Sequence, residues 1–144
     1  MTGLCGWINQ SVPDPESTLT DMAQRLSPFT TAQSSRWTGD DCGLAAAAVR
    51  NPPEILHDGV LHAVVVGQPR ITDANLQRHA QQHGVAAALL AGYRAQGPDV
   101  LRHFADRFAL ALIDHEHKTT LLAVDRFGSI PLCFAAREHG LVFG

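Results

Sequence analysis

The sequence predicts an α+β domain of four layers, α/β/β/α, in which two antiparallel sheets pack face to face and helices cover their outer surfaces. Three observations carry this. Apolar runs suited to strands stand towards both ends of the 144-residue chain, with helical segments between them. Several runs, Val60 to Val66, Phe108 to Ile113 and Leu121 to Val124, are apolar at consecutive positions, so both faces of each strand must be covered. The C-terminal runs are joined by short connections, which implies antiparallel pairing. A single sheet with helices on one side is the competing arrangement, and two-sided strands favour the sandwich.

The elements follow in order. Gly3 to Asn9 is a short apolar run that suits a strand, with Leu4, Gly6 and Ile8 on one face and Gly3, Cys5 and Trp7 on the other. Pro13 and Pro15 end it. Leu19, Met22, Ala23 and Leu26 fall at i, i+3, i+4 and i+7, the spacing of a helix beginning near Ser17 or Thr18 and stopping before Pro28. Thr30 to Asp41 has no apolar period and reads as a loop. Leu44 to Val49 suits a strand or a helix; Gly43 before it and Asn51-Pro52-Pro53 after it favour the strand. Asp58-Gly59 turns into a β-branched strand ending at Gly67. Thr72 or Asp73 caps a helix carrying Leu76, His79, Ala80 and His83, which Gly84 closes. A second helix covers Ala86 to Ala95 and stops at Gly97. Pro98 suits the first turn of a third, with Val100, Leu101, Phe104 and Ala105 on its inner side. Phe108 to Ile113 and Thr119 to Val124 then form a hairpin around His115 to Lys118.

The most specified local structure is the corner Asp125-Arg126-Phe127-Gly128, with Pro131 restarting an apolar run. It reads as the connection between two buried strands. Gly128 supplies a positive φ, and Pro131 fixes φ and withholds a ladder donor where the next strand starts. Asp125 and Arg126 are expected to serve as a structural ion pair and corner anchor rather than as a catalytic acid and base.

A hydrophobic content of 45% over this length fits one domain, residues 1–144, with a sizeable core. A net charge of -3 and a pI near 6.2 give no global reason to expect nucleic acid or an anionic membrane as partner. No apolar run is long enough to span a bilayer and the N-terminus lacks the pattern of a signal peptide, so a cytoplasmic location is the expectation. The three cysteines, Cys5, Cys42 and Cys133, show no CxxC spacing, which suggests neither a disulfide framework nor a zinc site. Cys42 and Cys133 read as small buried apolar residues. His115-Glu116-His117 reads as a solvated turn and the pair His79 and His83 as a polar helix edge, so no metal site is expected.

Cys5-Gly6-Trp7-Ile8, the stretch Trp37 to Leu44, Phe108 to Asp114 and above all Asp125-Arg126-Phe127-Gly128-x-x-Pro131-Leu132 resemble the glutaminase domain of the asparagine synthetase family, the class II glutamine amidotransferases. The resemblance covers most of the chain in order. It implies the N-terminal-nucleophile hydrolase sandwich, in agreement with the layering read from the strands. It also implies a chemistry in which a cysteine thiolate attacks the side-chain amide of glutamine. The free α-amine of that first residue carries the proton, suited to this by a reference pKa of about 7.7 to 8.0.

The resemblance implies that Cys5 is the nucleophile only if processing exposes it as the N-terminus. Removing Met1 exposes Thr2 instead, which lies three positions before the Cys-Gly pair and is set aside. The family's oxyanion-hole Asn-Gly falls at Val66-Gly67, where the amide donor is missing and Gly67 remains; losing such a donor costs about 100-fold to 1000-fold in rate. The family's Ser-Asp-x-Glu segment has no counterpart near Gly84 to Ala87, and the arginine that grips the substrate carboxylate falls at Arg50.

The resemblance thus implies a degenerate domain with a structural or interaction role, like those of peptide (lasso-type) cyclases and β-lactam synthetases. The alternative is a working glutaminase that takes glutamine and supplies ammonia. Either way a synthetase or cyclase partner is expected to carry the ATP pyrophosphatase loop Ser-Gly-Gly-x-Asp-Ser, on a missing domain or a separate chain. ATP and Mg would bind there, with no cofactor in this domain. A homodimer is compatible with both.

Overall fold

In the computed structural model, which describes residues 2–26, 33–49 and 53–144, the strands divide between two antiparallel sheets. Numbered in chain order, the first sheet runs β2 (Gln33–Thr38), β3 (Gly43–Ala48), β1 (Gly3–Ile8), β9 (Leu141–Phe143) and β8 (Phe134–Ala136). The second runs β4 (Ile55–Asp58), β5 (Leu61–Ile71), β6 (Phe104–Asp114) and β7 (Thr119–Val124). α1 (Pro15–Leu26) covers the first sheet; α2 (Ala74–His83), α3 (Val85–Gln96) and a 3-10 segment at Gly97–His103 cover the second.

Alternation along the strands builds three apolar layers. Leu4, Leu44 and Ala46 of the first sheet meet Val64, Val66, Ala109 and Ala111 of the second, forming the core between the sheets. Cys5, Trp7 and Ala45 point the other way, onto Leu19 and Ala23 of α1. On the outer face of the second sheet, Leu110 and Leu112 pack with Leu89, Leu90 and Val100. The two faces of β1 are those read from the sequence. Each buried leucine contributes roughly 1.5–3 kcal/mol of transfer free energy, so the layers reinforce one another without polar help.

Several local expectations are corrected. α1 begins at Pro15 rather than near Ser17, because Asp14 caps it: its Oδ1 accepts from Ser17 N at 3.2 Å, and proline suits the first turn. The stretch read as a loop up to Asp41 contains β2, an edge strand paired from Gln33↔Ala48 to Thr38↔Gly43. Five of its six residues are polar and none is fully buried, so its backbone ladder left no apolar period to read. β4 is a second edge strand, paired to β5 and hidden next to the Asp58-Gly59 turn. Only a 3-10 segment follows Pro98, since Phe104 and Ala105 already belong to β6.

The Asp125 corner does not join two buried strands. β7 is half-buried, β8 begins at Phe134 and is exposed, and the two lie in different sheets. The corner is the crossing from one sheet to the other, with Ile130 sunk into the core between them.

Candidate functional site

A cleft of about 490 Å³ opens where the sheets meet α3, lined among others by Thr2, Glu54, Val66, Gly67, Gln68 and Arg107. Thr2 immediately precedes β1, Gly67 lies within β5, and Arg107 lies near the start of β6, so both sheets contribute. Gly67 has φ +98, a region that L side chains rarely adopt. A Cβ there would collide with the Arg107 carbonyl oxygen and come within 2.9 Å of Ile130 Cδ1. β5 and β6 therefore approach at the cleft as closely as glycine allows, leaving a backbone surface instead of a side chain.

Cys5 is not in this cleft. It is 2% exposed, facing α1 among Trp7, Leu19 and Ala45, and burial pushes its thiol up to about 12. Such a thiol is protonated at neutral pH and weakly nucleophilic. The chain thus places Thr2 and Gly67 together and Cys5 apart from both. Arg50, the sequence candidate for the substrate carboxylate, lies outside the described residues. Glu54 and Arg107, which place one negative and one positive group in the cleft, were not singled out from sequence. Nothing in their local pattern separates them from ordinary solvated charges.

The corner residues have structural duties. The buried Asp125 accepts from Phe127 N at 2.9 Å, Ser129 N at 3.1 Å, Phe108 N at 3.3 Å and Ser129 Oγ at 3.1 Å. Its own N–H donates to Phe108 O at 3.0 Å, and its carbonyl accepts from Gly128 N at 2.9 Å. Burial alone would push this carboxyl up, but the donors on Phe127, Ser129 and Phe108 outweigh it and hold it below the usual carboxylate range. The expected ion pair with Arg126 is not formed: Arg126 is exposed, and the hydrogen-bond donors occupy the carboxylate. Gly128 supplies the expected positive φ, +60, and Pro131 is exposed ahead of β8.

Two antiparallel sheets sandwiched between helices, with a cleft at the head of the first strand, define an N-terminal-nucleophile-hydrolase-like fold. Family comparison then narrows the class. The sequence pattern of the glutamine amidotransferase domain matches residues 67–144, more than half of the chain. The chain belongs to that family, and its domain is of the class II glutamine amidotransferase type. Among curated proteins no match to the chain is found.

Proposed function

We propose that this chain is the amidotransferase-type domain of an ATP-dependent amide-bond-forming enzyme related to asparagine synthetase, and that it has lost cysteine-dependent glutamine hydrolysis. The observation that carries the reading is the position of Cys5, sealed beneath α1 and away from the cleft. The missing amide donor at Val66 supports it. The domain then acts as a structural or docking partner for a synthetase or cyclase unit, which would hold ATP and Mg.

A second reading rests on Thr2. Its presence in the cleft beside Gly67 favours a threonine nucleophile once Met1 is removed. The hydroxyl would attack the glutamine side-chain carbonyl carbon while the freed α-amine takes its proton. That proton would pass to the departing ammonia, and water would cleave the resulting ester to glutamate. Glu54 and Arg107 would face the ammonium and carboxylate of the zwitterionic substrate.

Intact mass together with glutamate release from glutamine separates the readings. The first expects no release above background from wild type. Release lost in Thr2→Ala but kept in Cys5→Ala would establish the second. Release that depends on Cys5 would overturn both.

A further inference from the structure

At the far end of β6 from the cleft, residues separated widely in sequence converge. Cys42 Sγ lies 3.5 Å from His115 Nε2, and an Asp41 carboxylate oxygen joins them, all three ligand atoms falling within 4.8 Å of one another. Asp41 and Cys42 sit in the β2–β3 connection of the first sheet, His115 in the β6–β7 turn of the second. Both segments are fixed by their backbones: Gly39 N donates to Cys42 O at 2.8 Å, Gln10 N to Asp41 O at 3.0 Å, and His115 N to Val60 O at 3.0 Å.

We infer that Asp41, Cys42 and His115 form a binding site for one divalent cation of zinc type that ties the two sheets together. Sulfur at about 2.3 Å and imidazole nitrogen at about 2.0–2.1 Å from a tetrahedral zinc stand roughly 3.6 Å apart. The observed separation of 3.5 Å is already that of two ligands in one shell. The Asp41 carboxylate oxygen lies within 4.8 Å of both, close enough for a small inward shift of its side chain to bring it into the same shell. The set of one thiolate, one imidazole and one carboxylate suits zinc better than magnesium or calcium, which prefer oxygen alone.

A second observation points to the same place. His62, 5% exposed, stands edge-on to His115 with ring centroids 5.0 Å apart, and its Nδ1 is buried with no partner among the described residues. A buried imidazole nitrogen left unpaired is costly, and a water held by the metal would supply its partner. Beside the cluster, a cleft of about 390 Å³ lined also by Asn9, Asp114, Lys118 and Thr119 leaves room for water as a fourth ligand. Lys118 adds positive charge there, offset by Asp41 and Asp114.

The test uses the full chain, stripped with chelator, desalted and supplied with Zn²⁺ or Co²⁺ alone. One equivalent of Zn²⁺ is expected to survive gel filtration, and Co²⁺ to give a thiolate-to-metal charge-transfer band. Cys42→Ser should abolish the band and His115→Ala should weaken binding at least 10-fold, while Cys133→Ser and His79→Ala leave both unchanged. Wild type retaining no stoichiometric metal, or a band that persists in Cys42→Ser or vanishes in Cys133→Ser, overturns the site. Should Cys42→Ser not fold, the cobalt spectrum of wild type decides, since absence of the charge-transfer band is equally fatal.

Discussion

Asp125 is a buried carboxylate whose neighbours are hydrogen-bond donors rather than a cation, and that choice has consequences at the scale of one residue. It fastens the end of the β6–β7 ladder through Phe108 and shapes the turn through Phe127 and Ser129, so removing it leaves several N–H groups unpaired at once. Asp125→Ala is expected to lower the melting temperature on the order of 5 °C, measured by thermal unfolding at neutral pH. Asp125→Asn keeps the shape and loses the charge, and should cost less. The pH dependence separates the two roles. A carboxyl held below its usual range contributes stability that is present above about pH 4 and is lost as pH falls through its lower folded value. Stability plotted against pH below about 4 should therefore fall less steeply in Asp125→Asn than in wild type. Equal acid limbs in the two proteins would show that the charge is not what the turn holds.

Where strands approach, the same glycine residue type does two different jobs. Gly67 combines φ +98 with a β5–β6 contact that a Cβ would violate; Gly128 has φ +60 but nothing within 4 Å of where a Cβ would sit. Gly67→Ala should thus destabilise by about 3 kcal/mol, adding a backbone collision to left-handed strain, whereas Gly128→Ala should cost only about 1 kcal/mol. Denaturant unfolding of both variants checks the order, and equal costs would mean the strands part easily at Gly67. This contrast marks how far the elements were legible beforehand. α1, α2 and α3 announced themselves through spacing, and α2 through its cap as well; Asp73 accepts from Asn75 N at 3.0 Å and Leu76 N at 2.9 Å, as its position before α2 suggested. Two-sided strands announced themselves through uninterrupted apolar runs. β2 and β4 did not, because an edge strand is held by its backbone ladder, which leaves little trace in side-chain pattern. The site was less legible still. Gly67 was found by resemblance, but Thr2 reaches its cleft from just before β1 while Cys5 faces α1 from within that strand, and Cys42 meets His115 only because the two sheets stack.

At the scale of the whole molecule, the corner after β7 carries the chain across the sandwich and leaves two aromatic rings in water, Phe127 at 87% and Phe134 at 71% exposure. The fold gains little from them, since neither fills a core layer. Large exposed aromatics are disproportionately the residues that anchor protein–protein contacts. On the proposed reading of a domain that docks with a synthetase, they are the side chains expected to meet the partner. Phe127→Ser and Phe134→Ser, singly, should change folding stability by no more than about 0.5 kcal/mol. Each should weaken association with a chain carrying the ATP pyrophosphatase loop by about 10-fold, equivalent to about 1.4 kcal/mol. Paired measurements of chemical unfolding and binding by titration calorimetry decide it. A loss of stability matching the loss of affinity would assign the rings to the fold. Unchanged affinity in both variants would remove these two rings from the interface.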